Sequence, residues 1–239
     1  MKPGLTASTL GVADLTPQQR SVMLTLMQCY YGEINDAQFH RDLDAKTFVI
    51  LLSDRSRQVV GFSTIGVWVT KVAGRDIQVL FSGDTIVDHV HWGSPVLASC
   101  WLRLAKRIKS NAPELPLYWL LIVKGHRTYR YLPVFAKSYF PAWNAQTPGD
   151  VKELMTRLAT AKFGRYFDSE TGIVHFPQSH GRLLDAWAAI PPKDEMRPEV
   201  KFFLERNPGY TDGDELVCLA EIAADNMQPF ARRIFEGAP

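Results

Sequence analysis

Long apolar runs, paired cysteines and an excess of one charge are all missing from this 239-residue sequence. No apolar stretch approaches the roughly 18 residues of a membrane span. The opening Met1-Lys2-Pro3-Gly4 lacks the apolar core of a signal peptide. The three cysteines, at 29, 100 and 218, are too few and too far apart for a disulfide framework or a zinc knuckle. They read as small buried hydrophobes in a reducing compartment. Lys plus Arg number 27 against 25 Asp plus Glu, without the surplus that a nucleic-acid binder carries. Internal repeats, low-complexity tracts, a P-loop and a dinucleotide fingerprint are absent. Gly61-Phe62-Ser63-Thr64-Ile65-Gly66 misses the Gly-x-Ser-x-Gly spacing of a hydrolase elbow. These absences leave a soluble, cytoplasmic protein with no nucleic-acid partner and no membrane span, large enough for one sizeable core.

What is present is a regular alternation of helical and strand-like segments. Thr16-Pro17 opens a helix running to Tyr30 and Tyr31, and Asn35 or Asp36 caps a second as far as Ala45. Three strands follow at 47–53, 58–72 and 76–87, joined by short turns that predict an antiparallel meander. Val96 to Lys109 reads as a helix, Leu117 to Val123 as an interior strand, and Arg127 to Leu132 as a short helix stopped or kinked at Pro133. Thr147-Pro148-Gly149-Asp150 opens another helix with Val151, Leu154, Met155 and Leu158 at helical spacing. Residues 165–195 are irregular, with a strand at Gly172 to Phe176 and a helix around Leu183 to Ala189. Pro198 to Arg206 has helical character, and Glu215 to Ile222 is the last strand.

The chemistry concentrates around the third strand and the helix after it. Gly93-Ser94-Pro95 places Ser94 as N-cap and Pro95 in the first turn, so the helix start offers free amides to an anion. Strand alternation puts Asp84 on one face with Ser82, where it serves as a general base or as a structural hydrogen-bond acceptor. His89 and His91 alternate, so one faces the cleft as a base if the strand persists. Gly83 to His91 also matches Gly-x5-His-x-His, the opening of the cupin metal motif. Pro95 and Val96 stand where its Glu belongs, so no metal is expected. Lys124, His126, Arg127 and Arg130 form the densest basic cluster, suited to a phosphate or an acidic carrier protein, or else a solvated helix face. Tyr129 and Tyr131 offer a phenol to protonate a leaving thiolate, or aromatic packing.

Helix, helix, three antiparallel strands, helix, strand, helix, strand resembles the Gcn5-related N-acetyltransferase (GNAT) fold. The resemblance covers roughly residues 16–145 as a core, with 1–15 as a loose N-terminal arm. Residues 146–239 form a helical and irregular extension that returns a last strand at 215–222. It implies an α+β architecture, a mixed, mostly antiparallel central sheet flanked by helices, splayed near 84–88 and 123–125. In that family an Arg/Gln-x-x-Gly-x-Gly/Ala turn carries the donor's pyrophosphate. Here Gly93 matches the first Gly, while Val90 stands for Arg or Gln and Pro95 for the second Gly or Ala. The family's Asn and Tyr after the next strand are echoed loosely by Gly125 to Tyr131. The resemblance implies an acyltransferase taking an acyl group from acyl-CoA, or from phosphopantetheine on an acyl-carrier protein, to an amine or hydroxyl of a small acceptor. It places Asp84, His89 and Tyr129 in catalysis and Trp92, Gly93, Ser94, Lys124 and Arg127 at the donor. The alternative is a non-catalytic binding module on the same fold.

Overall fold

The computed structural model describes residues 4–177 and 179–237. Strand β1 (Thr6–Gly11) leads through a short turn into helix α1 (Pro17–Tyr30). Thr16 caps α1 as expected: its hydroxyl accepts from the Gln19 amide at 3.2 Å, and the Gln19 side chain accepts from the Thr16 amide at 2.9 Å. A two-residue strand β2 (Tyr31–Gly32) precedes α2 (Asp36–Asp44), which Asn35 caps. The meander is β3 (Phe48–Ser53), β4 (Val59–Val72) and β5 (Arg75–Val87). Helix α3 (Val96–Asn111) crosses over to β6 (Leu117–Val123), and α4 (His126–Tyr129) and α5 (Tyr131–Phe135) follow. Pro133 falls inside the first turn of α5, where its missing N–H costs nothing, so the helix restarts instead of stopping.

The last hundred residues add α6 (Gly149–Phe163) and the short strands β7 (Phe167–Asp168), β8 (Ile173–Val174) and β9 (Arg182–Leu183). Then come α7 (Asp185–Ala188), α8 (Pro192–Glu195), α9 (Pro198–Arg206), β10 (Glu215–Glu221) and α10 (Pro229–Glu236). Eight strands form one sheet in the order β1-β3-β4-β5-β6-β10-β8-β7, and β2 pairs with β9 apart from it. Among the described residues β5 and β6 are the parallel pair, as a helical crossover between them requires, and the other pairings are antiparallel. One face of the sheet packs on α3, α5 and α10 through Trp101, Leu104, Phe135 and Phe235. The other packs on α1 and α2 through Met23, Met27 and Phe39, and on α6 through Leu158 and Phe163.

Three local expectations change. The stretch taken as a loose arm contains β1, which pairs with β3 from Thr6–Ser53 to Gly11–Phe48; residues 1–3 of that arm lie outside the described residues. The third strand ends at Val87, and His89–His91 form a 3-10 turn whose Val90 amide Asp88 caps at 3.0 Å, so the two histidines do not alternate on a strand. At the start of α3 it is Pro95 that occupies the cap position. The Ser94 hydroxyl accepts from the Val96 amide at a long 3.4 Å, so Ser94 is a weak cap.

Candidate active site

The site begins with a break in pairing. Strands β5 and β6 are bonded in register from Gln78–Leu117 to Ser82–Leu121 and no further. Beyond that point β5 stays with β4 as far as Val87–Gly61, and β6 stays with β10 as far as Val123–Leu216. The strands part because each follows its other neighbour, leaving β5 past Ser82 without a strand partner on its β6 side among the described residues, where the Val87 carbonyl accepts instead from the Trp92 indole N–H at 2.7 Å.

A bulge in β5 sits at that break. Ser63 pairs with Thr85 and Ile65 with Ser82, so Thr64 alone faces both Gly83 and Asp84. One extra residue reverses the side-chain alternation beyond it. Ser82 points to the α3 face, its hydroxyl accepting from the indole N–H of Trp119 at 2.8 Å and of Trp101 at 3.2 Å. Asp84 instead joins Phe81, Lys46 and Lys162 on the α2/α6 face. The expectation that Asp84 shares a face with Ser82 therefore fails, because plain alternation takes no account of the bulge.

Two clefts open at the break. The first, about 240 Å³, lies on the α2/α6 side and holds Asp84, Tyr31, Lys46, Lys162, His180 and the Lys124–Glu215 pair. Lys124 Nζ lies 3.3 Å from Glu215 and donates to the His180 carbonyl at 2.9 Å. Burial raises the Glu215 pKa and the Lys124 charge opposes it. Burial, with the charge of Asp84, also pushes the Tyr31 phenol well above its usual range. The Asp84 carboxylate is half-buried and forms no ion pair among the described residues.

The second cleft, about 540 Å³, runs between the Trp92-Gly93-Ser94 turn and α4, with Arg127, Arg130 and Arg197 in its wall. Arg130 and Arg197 are ion-paired with buried Asp194 at 3.3 and 2.7 Å. Burial alone would raise the Asp194 pKa, but the hydrogen bond from Arg197 and the two guanidinium charges hold it below the usual carboxylate value. Arg127 has no carboxylate partner among the described residues. Its Nη1 donates to the Trp187 carbonyl at 2.7 Å and its guanidinium stacks 4.6 Å from the Trp92 ring centre. Thr85 and Thr128 line both clefts. Between them a hollow of about 40 Å³ is walled by Leu97, Trp101, Trp119 and Phe135.

The sequence-derived residues are thus divided. Asp84 stands in the first cleft, and Trp92, Gly93, Ser94 and Arg127 in the second. Lys124 does not join the donor group: it faces the first cleft, held by Glu215. Tyr129 does not reach either cleft. It is fully buried, its hydroxyl donates to the Pro141 carbonyl at 2.8 Å, and burial raises its pKa far above the ordinary value, so it is a core residue. His89 lines none of the three spaces. Its side chain is 53 % exposed, edged against Trp187 and Asp88. Sequence reading missed Lys46, Lys162, His180 and Glu215 as site residues. Lys162 comes from α6, Glu215 from β10, and Lys46 and His180 from separate loops, and none carries a local signal.

The fold is GNAT-like by element order, by the one parallel pair among the described residues and by the splay beside it. No family model and no curated protein matches the sequence. Among solved structures, a GNAT family N-acetyltransferase from Escherichia coli in complex with CoA is similar over 56% of this chain and 71% of its own, at 18% identity and TM-score 0.38. A GCN5-related N-acetyltransferase from Kribbella flavida matches over 58% of this chain and 34% of its own, at 15% identity and TM-score 0.41. The glucosamine-6-phosphate N-acetyltransferase of Arabidopsis thaliana matches over 56% and 94%, at 13% identity and TM-score 0.37. This chain spans only about a third of the Kribbella protein. Likeness this distant transfers neither activity nor site residues. Among the described residues no helix is long and apolar enough to cross a membrane, and no three His, Cys, Asp or Glu side chains converge as metal ligands.

Proposed function

We propose that this protein is an acyltransferase. It moves an acyl group from a pantetheine thioester, on coenzyme A or an acyl-carrier protein, to an amine or hydroxyl of a small acceptor. The observation that carries this reading is the meeting of two clefts where β5 and β6 part, one holding the unpaired Asp84 and the other Arg127, with Tyr31, Thr85 and Thr128 common to both. The cleft of Trp92, Gly93 and Arg127 suits the donor. Arg127 has no carboxylate partner among the described residues, and Leu97 and Ala98 lie in the first turn of α3, whose amides have no acceptor within the helix. The cleft of Asp84 suits the acceptor. Asp84 removes the proton of the attacking group, the nucleophile adds to the thioester carbonyl, and the carbon–sulfur bond breaks to release the pantetheine thiolate, which takes its proton from water. The unpaired edge of β5 beyond Ser82 offers amides to the oxyanion in a partly enclosed gap.

Isothermal titration with acetyl-CoA and with an acetylated carrier protein tests the donor assignment. Gly93 has φ +78°, so any side chain there strains the backbone, and Gly93→Ala carries that strain as a control. Gly93→Glu adds bulk and negative charge beside the helix start. It is expected to weaken donor binding roughly tenfold or more beyond Gly93→Ala. Equal affinities in the two folded variants would place the donor elsewhere.

A further inference from the structure

Two ammonium groups in the Asp84 cleft have no part in the acyl-transfer scheme and form no ion pair among the described residues. Lys46 Nζ donates to the Asp42 backbone carbonyl at 2.8 Å, and Lys162 makes no hydrogen bond or ion pair among the described residues. Lys124 in the same cleft is by contrast paired with Glu215. The nearby Asp42 carboxylate accepts from Gln38 Nε2 at 2.8 Å. Lys46 and Lys162 both stand against one ring, their Nζ atoms 5.6 and 4.1 Å from the Phe81 centre. Like charges gathered without a paired anion repel, and the Asp42 carboxylate, which lines the same cleft, offsets only part of that repulsion. Much of the Lys162 side chain is exposed, yet desolvation of its ammonium and then the Lys46 charge push its pKa down to about 8, against the opposing pull of Asp42. In the same cleft Asp84 forms no ion pair among the described residues. Phe163 and Phe176 supply apolar wall, and Phe176 lies flat on the His180 ring at 3.8 Å.

We infer that the acceptor is a zwitterionic amine, whose ammonium or amine is received by Asp84 and whose carboxylate or phosphate is held by Lys46 and Lys162. Its apolar body lies against Phe81 and Phe163. The inference takes the reaction from the acyltransferase reading, but the charge pattern of the cleft stands without it. A neutral amine would satisfy Asp84 and leave both lysines unpaired, so the cleft discriminates through the group it would leave unsatisfied.

The first arm of the test needs no turnover. Trace labelling with acetic anhydride, read by mass spectrometry against exposed Lys71, follows the reactivity of Lys162 across pH. L-Phenylalanine and O-phosphoethanolamine supply the carboxylate and phosphate forms; L-phenylalaninamide and phenethylamine lack an anion. Either anionic amine is expected to protect Lys162 and raise the pH midpoint of its labelling, and the two neutral amines to do neither. The stronger of the two protectors identifies the anion. In the second arm Lys46→Met and Lys162→Met are each compared with the parent for the ratio of kcat/KM between the better anionic amine and L-phenylalaninamide. That ratio is expected to fall on the order of 30-fold, the loss of one charge-assisted contact. Protection by the neutral amines as well, protection by none, or an unchanged ratio in both variants overturns the inference. Protection by an anionic amine with no acyl product would sink the acyltransferase reading and leave the ligand class standing. Equal turnover of neutral and anionic amines would do the reverse.

Discussion

Asp84 and His126 show how burial assigns roles to titratable groups around the break in the sheet. Asp84 keeps an unpaired carboxylate at the junction, and Asp84→Asn preserves its size while removing the base. Turnover is expected to fall by about 10²-fold or more in steady-state assays, with acetyl-CoA affinity unchanged by titration. Retained turnover would transfer the base role to another group in the cleft. His126 is 1 % exposed, and its Nε2 has no hydrogen-bond partner among the described residues. Burial and then the Arg127 charge push its pKa from 6.5 down to about 4, with Arg130 adding to the fall and Asp194 opposing it. The imidazole is therefore neutral in the fold but protonates near 6.5 in the unfolded chain. Between pH 6.5 and 4 the unfolded state binds more protons, so stability drops as pH falls through that window and levels off below it. The loss is at most on the order of 3 kcal/mol. Urea unfolding across the window is expected to give a shallower pH slope for His126→Gln than for the parent, and equal slopes would contradict the assignment.

At the scale of the element, the bulge in β5 is the feature on which the site depends. Gly83 occupies it because a Cβ there would come within 2.5 Å of Thr64 Oγ1 and 2.6 Å of Lys46 Cε. Gly83→Ala is expected to cost about 1–3 kcal/mol in urea unfolding, the usual range for overpacking. Adding Thr64→Ala removes the contact with a rigid strand neighbour, and the double variant should recover part of that loss. Additive costs would show that the crowding lies with Lys46 alone. Helix α3 makes a different point. Ser94→Ala removes only a 3.4 Å contact to the Val96 amide, so its cost falls at the low end of N-cap substitutions, about 0.5 kcal/mol.

For the whole molecule, β1 closes one edge of the sheet by covering the outer side of β3, whose Val49 to Leu52 are buried. A variant beginning at Val12 uncovers that edge. Its melting temperature is expected to drop on the order of 5–10 °C, with oligomers on size-exclusion chromatography as unpaired strands associate. An unchanged melt would mean that β1 adds nothing to the fold. At the opposite side, β10 inserts between β6 and β8, and residues from the last hundred positions reach both clefts. Glu215, Lys162 and His180 line the first, and Trp187 and Asp194 the second.

The sequence by itself determined the elements, because their signals are local. The Thr16-Pro17 helix start, the apolar runs of the strands and the short turns of the meander each act within a few residues. The order of those elements was enough to place β3 to β6 in one sheet with a splay expected near 84–88 and 123–125, and the strands part just before it, past Ser82 and Leu121. The resemblance built on that order grouped Gly93, Lys124 and Arg127 at the donor; Gly93 and Arg127 line one cleft and Lys124 the other. Tertiary structure decided the rest. The bulge that turns Asp84 away from Ser82 arises from register between β4 and β5, a property of two strands together. Tyr129 looks like any helical tyrosine until Pro141 and Phe203 close over it. Lys46 and Lys162 read as surface lysines at 116 residues' separation. Only the packing of α6 and of the turn between α2 and β3 on the same face brings both ammoniums to the ring of Phe81.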